Sequence, residues 1–152
     1  MLHATLELAF VWRLLIAVVL GGLMGLERSI AGKHAGLRTY ALVSLGSCLF
    51  VIAGTLASVE LSAFSGINPL VVASAIVTGI GFIGAGLAAF HGATPGELTT
   101  AAGLWVVAAV GMACGFGLFY LALATAALSV VILSLLGSFE HAMRVRFGKN
   151  GE

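Results

Sequence analysis

The chain contains no aspartate, and only two of its residues are proline and two are cysteine. Charge of either sign is scarce: seven Lys and Arg and six Glu make up 9% of 152 residues, against about 25% in a soluble domain. A folded chain this short could not cover its surface with so few polar groups, which excludes a soluble globular enzyme. A net charge of +1, with no dense basic stretch, excludes a disordered chain and a nucleic-acid binder. Two cysteines without cysteine–histidine spacing argue against a disulfide scaffold or a zinc site. No metal ligand set, cofactor or nucleophile–base pair is expected, so the chain reads as a non-enzyme. The six glutamates, Glu7, Glu27, Glu60, Glu97, Glu140 and Glu152, all lie near or beyond the ends of apolar runs. Proton relays and ion-coupled carriers place acids within the membrane, and a magnesium site uses one or two carboxylates plus waters. Their absence from mid-span weighs against a carrier formed by one chain. A pore formed by an oligomer through backbone carbonyls stays open.

Apolar residues and glycine are what the chain has in plenty: 61% hydrophobic residues, and 21 glycines. A helix needs about 20 apolar residues to cross a hydrocarbon core, and five segments qualify, at residues 6–26, 39–59, 69–90, 98–114 and 116–138. The expected fold class is an all-α integral membrane protein, a bundle of about five transmembrane helices embedded in the lipid bilayer. Residues 1–138 form the membrane domain, and 139–152 a short basic tail. The last two spans form a hairpin for which Gly111, Gly115 and Gly117 offer the break. No Lys or Arg precedes Arg13 and no Ala-x-Ala site follows the first run, so that run reads as a retained span rather than a signal peptide. Arg28, Lys33 and Arg38 fall in or beside the first connection, and Arg144, Arg146 and Lys149 in the tail. Five passes put both regions on one side, so the N-terminus is expected outside and the C-terminus in the cytosol. Arg13 lies inside the first run beside Trp12. It snorkels to the outer headgroups or finds a buried partner such as Glu60.

Lipid tails are as apolar as leucine, so helices associate through close backbone approach and hydrogen bonds. Candidate packing glycines are Gly21, Gly22 and Gly25 in the first span, Gly79, Gly81, Gly84 and Gly86 in the third, and Gly111 with Gly115 in the fourth. The third span, where Ala85, Ala88 and Ala89 add to these glycines and leave little side chain, is expected to pack closely. Ser44, Ser47, Ser74, Thr78, Thr125 and Ser129 offer hydroxyls for interhelical bonds. Gly79, Gly81 and Gly84 also spell the G-x-G-x-x-G dinucleotide pattern. That motif needs a preceding strand and a βαβ unit, and inside an apolar span it is accidental. Residues 25–41 shifted by 61 positions match five of 17 residues in 86–102, a weak internal repeat. Cys48 and Cys114 differ in expected depth by about 10 Å at 1.5 Å per residue, too far to bridge.

The remaining candidates gather where the hairpins turn, at the expected cytosolic mouth: Glu27, Arg28, Arg38, Thr39, Glu97, Thr99 and Thr100. Glu27 at a helix C-terminus and Arg38 at a helix N-terminus each sit at the unfavourable pole. Each therefore wants a partner, and the simplest arrangement pairs them across the mouth. Thr94, Pro95, Gly96 and Glu97 read as a capping box with proline at the first helical position; the alternative gives Glu97 to Arg38. Thr99 and Thr100 bond to backbone carbonyls or face the mouth. His34 and His91 lie in the two connections on this side.

Four segments carry a family resemblance: Gly25-Leu26-Glu27-Arg28, Gly36-Leu37-Arg38-Thr39, the run 79–86 and Leu98-Thr99-Thr100-Ala101-Ala102 followed by Leu104-Trp105. In order and spacing they resemble the membrane domain of the MgtC/SapB family. The resemblance implies a bacterial inner-membrane protein of about five spans, linked to magnesium limitation and acid stress. It also implies regulatory contacts with other membrane proteins, in some members the proton-translocating ATP synthase, and allows a homo-oligomer. Relatives often carry Asp-Pro-x-Arg entering the third span, where this chain has Asn68, Pro69, Leu70 and Val71, and commonly have glycine where Glu97 stands. Many continue into a cytosolic ligand-binding-type domain. Here a short basic tail is expected instead, with the function of that domain absent or supplied by another chain. The sequence thus points to a regulatory membrane protein, with an oligomeric channel or transporter for magnesium or another small ion as the second reading.

Overall fold

A computed structural model describes residues 2–60, 68, 70–91, 94–137, 139 and 143, without side chains for 2–6 and 91. Five helices follow one another: α1 (Leu2–Ile30), α2 (Leu37–Glu60), α3 (Leu70–His91), α4 (Pro95–Gly115) and α5 (Phe119–Val131), the last continuing through a π-helical turn (Ile132–Leu136). All five are long and apolar enough to span a membrane, and the described residues contain no strand. The chain is thus an all-helical, multi-pass membrane protein with the five passes expected from hydropathy. The 79–86 glycine run lies inside the continuous α3, so the dinucleotide pattern has no nucleotide-binding context. Most of the basic tail, including Arg144, Arg146 and Lys149, and the expected span ends at Pro69 and Ser138, lie outside the described residues.

Two glycines end helices by the same device. Gly32 (φ 66) and Gly117 (φ 78) adopt the left-handed conformation that a side chain disfavours. After Gly32, the Lys33 amide donates to the Arg28 carbonyl at 3.0 Å and the Gly32 amide to that of Ser29 at 3.1 Å. After Gly117, Leu118 donates to Ala113 at 2.8 Å and Gly117 to Cys114 at 3.0 Å. Both are Schellman closures, which satisfy the orphan carbonyls of α1 and α4. Of the three glycines offered as the α4–α5 break, Gly117 is the one that turns the chain. Asn68 opens α3, its Oδ1 accepting from the Leu70 amide at 2.9 Å.

The core lies between α1, α2 and α4, where glycine lets backbones touch. A Cβ at Gly21 would meet Ser44 Cβ at 2.6 Å, and one at Gly25 would meet Tyr40 Cβ at 2.7 Å and the Gly36 oxygen at 2.8 Å. Across the other side of α2, Gly103 faces the Tyr40 hydroxyl, Gly111 the Ser44 backbone, and Gly115 the Cys48 oxygen at 2.8 Å. Gly103 was not among the expected packing positions, although Gly103, Gly111 and Gly115 share one face at four-residue multiples. The expectation for α3 is corrected. Gly84 meets Ala101 Cβ at 3.3 Å, but Gly79, Gly81 and Gly86 have nothing within 4 Å. Glycine content alone does not say which face meets a neighbour, and α3 stands at the edge of the bundle against α4. The repeat positions Gly25 and Gly86 accordingly have opposite surroundings.

The described hydroxyls mostly turn back on their own helix rather than across the interface. Thr78 donates to Ser74 O at 3.0 Å and Ser129 to Thr125 O at 2.7 Å, the local bond that competes with interhelical ones. Ser44 and Ser47 are buried on the packed face of α2. The depth argument about the cysteines is also overturned. Ser44 opposite Gly111 and Cys48 opposite Gly115 set the register of two parallel helices, placing Leu37 level with Leu104. Helix α4 therefore begins nine residues before the start of α2, about 13 Å below it at 1.5 Å per residue. This stagger puts Cys48 and Cys114 at one level, both buried and free.

Candidate functional site

The stagger leaves the first turns of α4 projecting under the α1–α2 connection, and the charged candidates collect there. Arg28 follows Gly21 and Gly25 on the packed face of α1 and is only 3% exposed. Its Nε lies 3.6 Å from Glu27 Oε2. Glu97 is 7% exposed; its Oε1 lies 2.8 Å from Nδ1 of His34, which donates to it in the Nδ1–H tautomer. Among the described residues, Glu27 Oε2, Arg28 Nε and Glu97 Oε2 are buried without a hydrogen-bond partner. An incompletely satisfied buried polar group is costly in a low dielectric. Tyr40, fully buried between Gly25 and Gly103, donates its hydroxyl to Thr100 O at 3.4 Å.

The expected residues thus divide. Glu27, Arg28, Glu97 and Thr100 turn inward, and Thr39 is half-buried. Arg38 and Thr99 are exposed. The proposed Glu27–Arg38 pair does not form. Arg28, not Arg38, lies against Glu27, because the helical phase that buries Gly25 also buries the residue three positions on. Glu97 forms half of the expected capping box: its amide donates to Thr94 Oγ1 at 3.3 Å, with Pro95 at the helix start. Its side chain does not return to Thr94 but reaches His34, so the carboxylate ties α4 to the first connection. Thr99 and Thr100 donate to Pro95 O and Gly96 O at 2.9 Å each. Tyr40 is the member absent from the expected set, and His34 is expected there only as a loop histidine, not as the partner of Glu97. Tyr40 was legible in its spacing to Ser44, Ser47 and Cys48 along one face, whereas no local pattern marks a loop histidine for a carboxylate 63 residues away.

Arg13 sits at the opposite end of the bundle. Its Nη1 donates to Gly115 O at 2.8 Å, and the guanidinium lies 5.5 Å from the Phe10 ring centre. Its partner is a backbone carbonyl at the end of α4, not Glu60. A cation there completes the C-terminus of a helix whose dipole is negative at that pole.

No group of three metal-ligating side chains occurs among the described residues. The arrangement is a buried, partly unsatisfied ionic cluster at one end of the packed α1–α2–α4 interface.

The family model of the MgtC family matches residues 14–142. Among curated proteins, the chain is 38% identical over 128 residues to "Putative magnesium transporter YhiD" of Escherichia coli K12, covering 83% of this chain and 60% of that protein. It is 42% identical over 135 residues to Protein MgtC of Brucella abortus, covering 89% and 54%. Against Protein MgtC of Salmonella typhimurium it is 40% identical over 124 residues, covering 82% and 49%. The chain thus spans about half to three-fifths of the length of these relatives. No solved structure matches it significantly.

Proposed function

The chain belongs to the MgtC family, and from that premise we propose that it is a non-enzymatic regulatory protein of the bacterial inner membrane. It acts in magnesium homeostasis and membrane energetics by contacting other membrane proteins, among them the proton-translocating ATP synthase. The charged end of the bundle, with Glu27, Arg28, His34 and Glu97, faces the cytosol and carries the contact. One observation supports this reading above the rest: the α1–α2–α4 interface is closed by backbone approach at Gly21, Gly25, Gly111 and Gly115, while the described carboxylates lie at the helix ends. A path for a hydrated cation needs acids or carbonyls lining a wet midplane, and backbone contact at these glycines leaves no room for one between the three helices.

Transport by an oligomer is the second reading, favoured by the name that the Escherichia coli relative carries. Purified chain in liposomes, with entrapped magnesium and proton indicators, separates the two. Flux no greater than in empty vesicles, together with reproducible recovery of one membrane partner from mild detergent, is the expected result. Robust magnesium flux overturns the regulatory reading.

A further inference from the structure

An open groove of about 420 Å³ runs between the outward faces of α1 and α2. Val18, Val19, Leu26 and Ala41 are among its walls, Gly22 is part of its floor, and Arg38, the one charged residue along it, borders it with the apolar stem of its side chain. Its wall on α1 extends from Val18 to Leu26, about 12 Å of helix at 1.5 Å per residue. One leaflet of a hydrocarbon core is half of about 30 Å thick. The groove therefore has nearly the depth of one leaflet, and the position that borders a headgroup layer is the one that holds Arg38.

No described carboxylate neutralises Arg38. Glu27 is turned to Arg28 at 3.6 Å and Glu97 to His34 at 2.8 Å, and among the described residues Arg38 has no ion pair. It also sits in the first turn of α2, where the helix dipole adds positive potential rather than relieving it. A guanidinium presents a planar fork that matches phosphate oxygens. Gly22 keeps the floor low: a Cβ there would already touch Leu37 Cδ1 at 3.5 Å, and a longer side chain would occupy the space.

We propose that this groove is a binding site for one anionic phospholipid of the surrounding bilayer, with the headgroup phosphate on Arg38 and one acyl chain lying along Gly22. The net charge of the headgroup decides selectivity. A zwitterionic lipid fills the groove with its chain but brings no net negative charge to Arg38.

Native mass spectrometry of the 152-residue chain in detergent, titrated with phosphatidylglycerol or phosphatidylcholine, tests the site. The chain retains phosphatidylglycerol in preference. Arg38→Gln lowers that retention about fivefold, the weight of one basic residue against an anionic surface, and removes the preference. Lys33→Gln, which changes an exposed charge outside the groove, leaves it intact. Val19→Trp, at a position 58% exposed and so harmless to the core, fills the groove and abolishes retention of both lipids. Unchanged thermal transitions certify the folds of the variants. Equal retention of the two lipids, equal losses in Arg38→Gln and Lys33→Gln, or an unaffected Val19→Trp each overturn the proposal. So does displacement by inorganic phosphate alone, which needs no chain, and a groove-dependent dimer that binds no lipid, which makes a second copy the occupant.

Discussion

An alanine at position 25 would bring its methyl group to 2.8 Å from both the Gly36 oxygen and Leu37 Cα, and neither is the end of a flexible side chain. The helices must move apart, so Gly25→Ala is expected to destabilise the bundle by about 1–3 kcal/mol, the range for overpacking a tight interface. Gly79→Ala meets nothing within 4 Å and should leave stability unchanged or raise it by up to about 1 kcal/mol, since alanine suits a helix interior better than glycine. Reversible unfolding in mild detergent compares the two, and equal effects would contradict the packing described. Charge obeys the same distinction between position and type. A double-mutant cycle of His34→Ala with Glu97→Gln should show coupling of about 0.5 kcal/mol, kept small because the His34 side chain is 56% exposed. Glu27→Gln with Arg38→Gln should show none. The sequence marks the charges at this end of the bundle but not their facing. Which of Arg28 and Arg38 turns inward depends on helical phase. The clue is there in Gly21, Gly25 and Arg28 spaced by four and three, but it can be read only once one face of α1 is known to be packed.

At the scale of helices, hydropathy suffices to locate all five spans, because a backbone in hydrocarbon must satisfy its own hydrogen bonds and long apolar runs leave few alternatives. Termini and neighbours are less legible. Gly111 and Gly115 look as suitable a break as Gly117, yet only Gly117 follows a helix that closes on it by the Schellman pattern. The first two glycines are instead consumed by contact with α2. Stagger is invisible to a span count, which assumes that all helices begin at one depth. That assumption separates Cys48 from Cys114, and the packing register removes the separation. Arg13 gives this scale its test. Its bond to Gly115 O joins α1 to the end of α4, so Arg13→Ala should cost about 1.5–2 kcal/mol, the lower part of the range for a hydrogen bond to a charged group. Arg13→Lys should recover only part, since an ammonium lacks the planar fork. Thermal unfolding of the purified variants measures both.

For the molecule as a whole, alternating passes put the α1–α2 and α3–α4 connections on one side and the α4–α5 turn on the other. Cysteines introduced at Lys33 and Thr94 should react with a membrane-impermeant maleimide only from the cytosolic side, and one at the exposed Leu118 only from outside. Native Cys48 and Cys114, both buried, should stay unreacted in the intact bundle. Labelling of the Lys33 site from outside would invert the topology and move the ionic cluster to the other face of the membrane.

The Arg13–Gly115 bond also has a history in time. Its two ends are 102 residues apart, and at about 5–20 residues per second a ribosome needs roughly 5–20 s to make the second after the first. Throughout that interval the arginine has no carbonyl to hold, and a charge in a lone helix is drawn back to the headgroups. The helix that carries Arg13 is thus made well before the carbonyl that fixes it, and until α4 follows, its charge favours the headgroup layer.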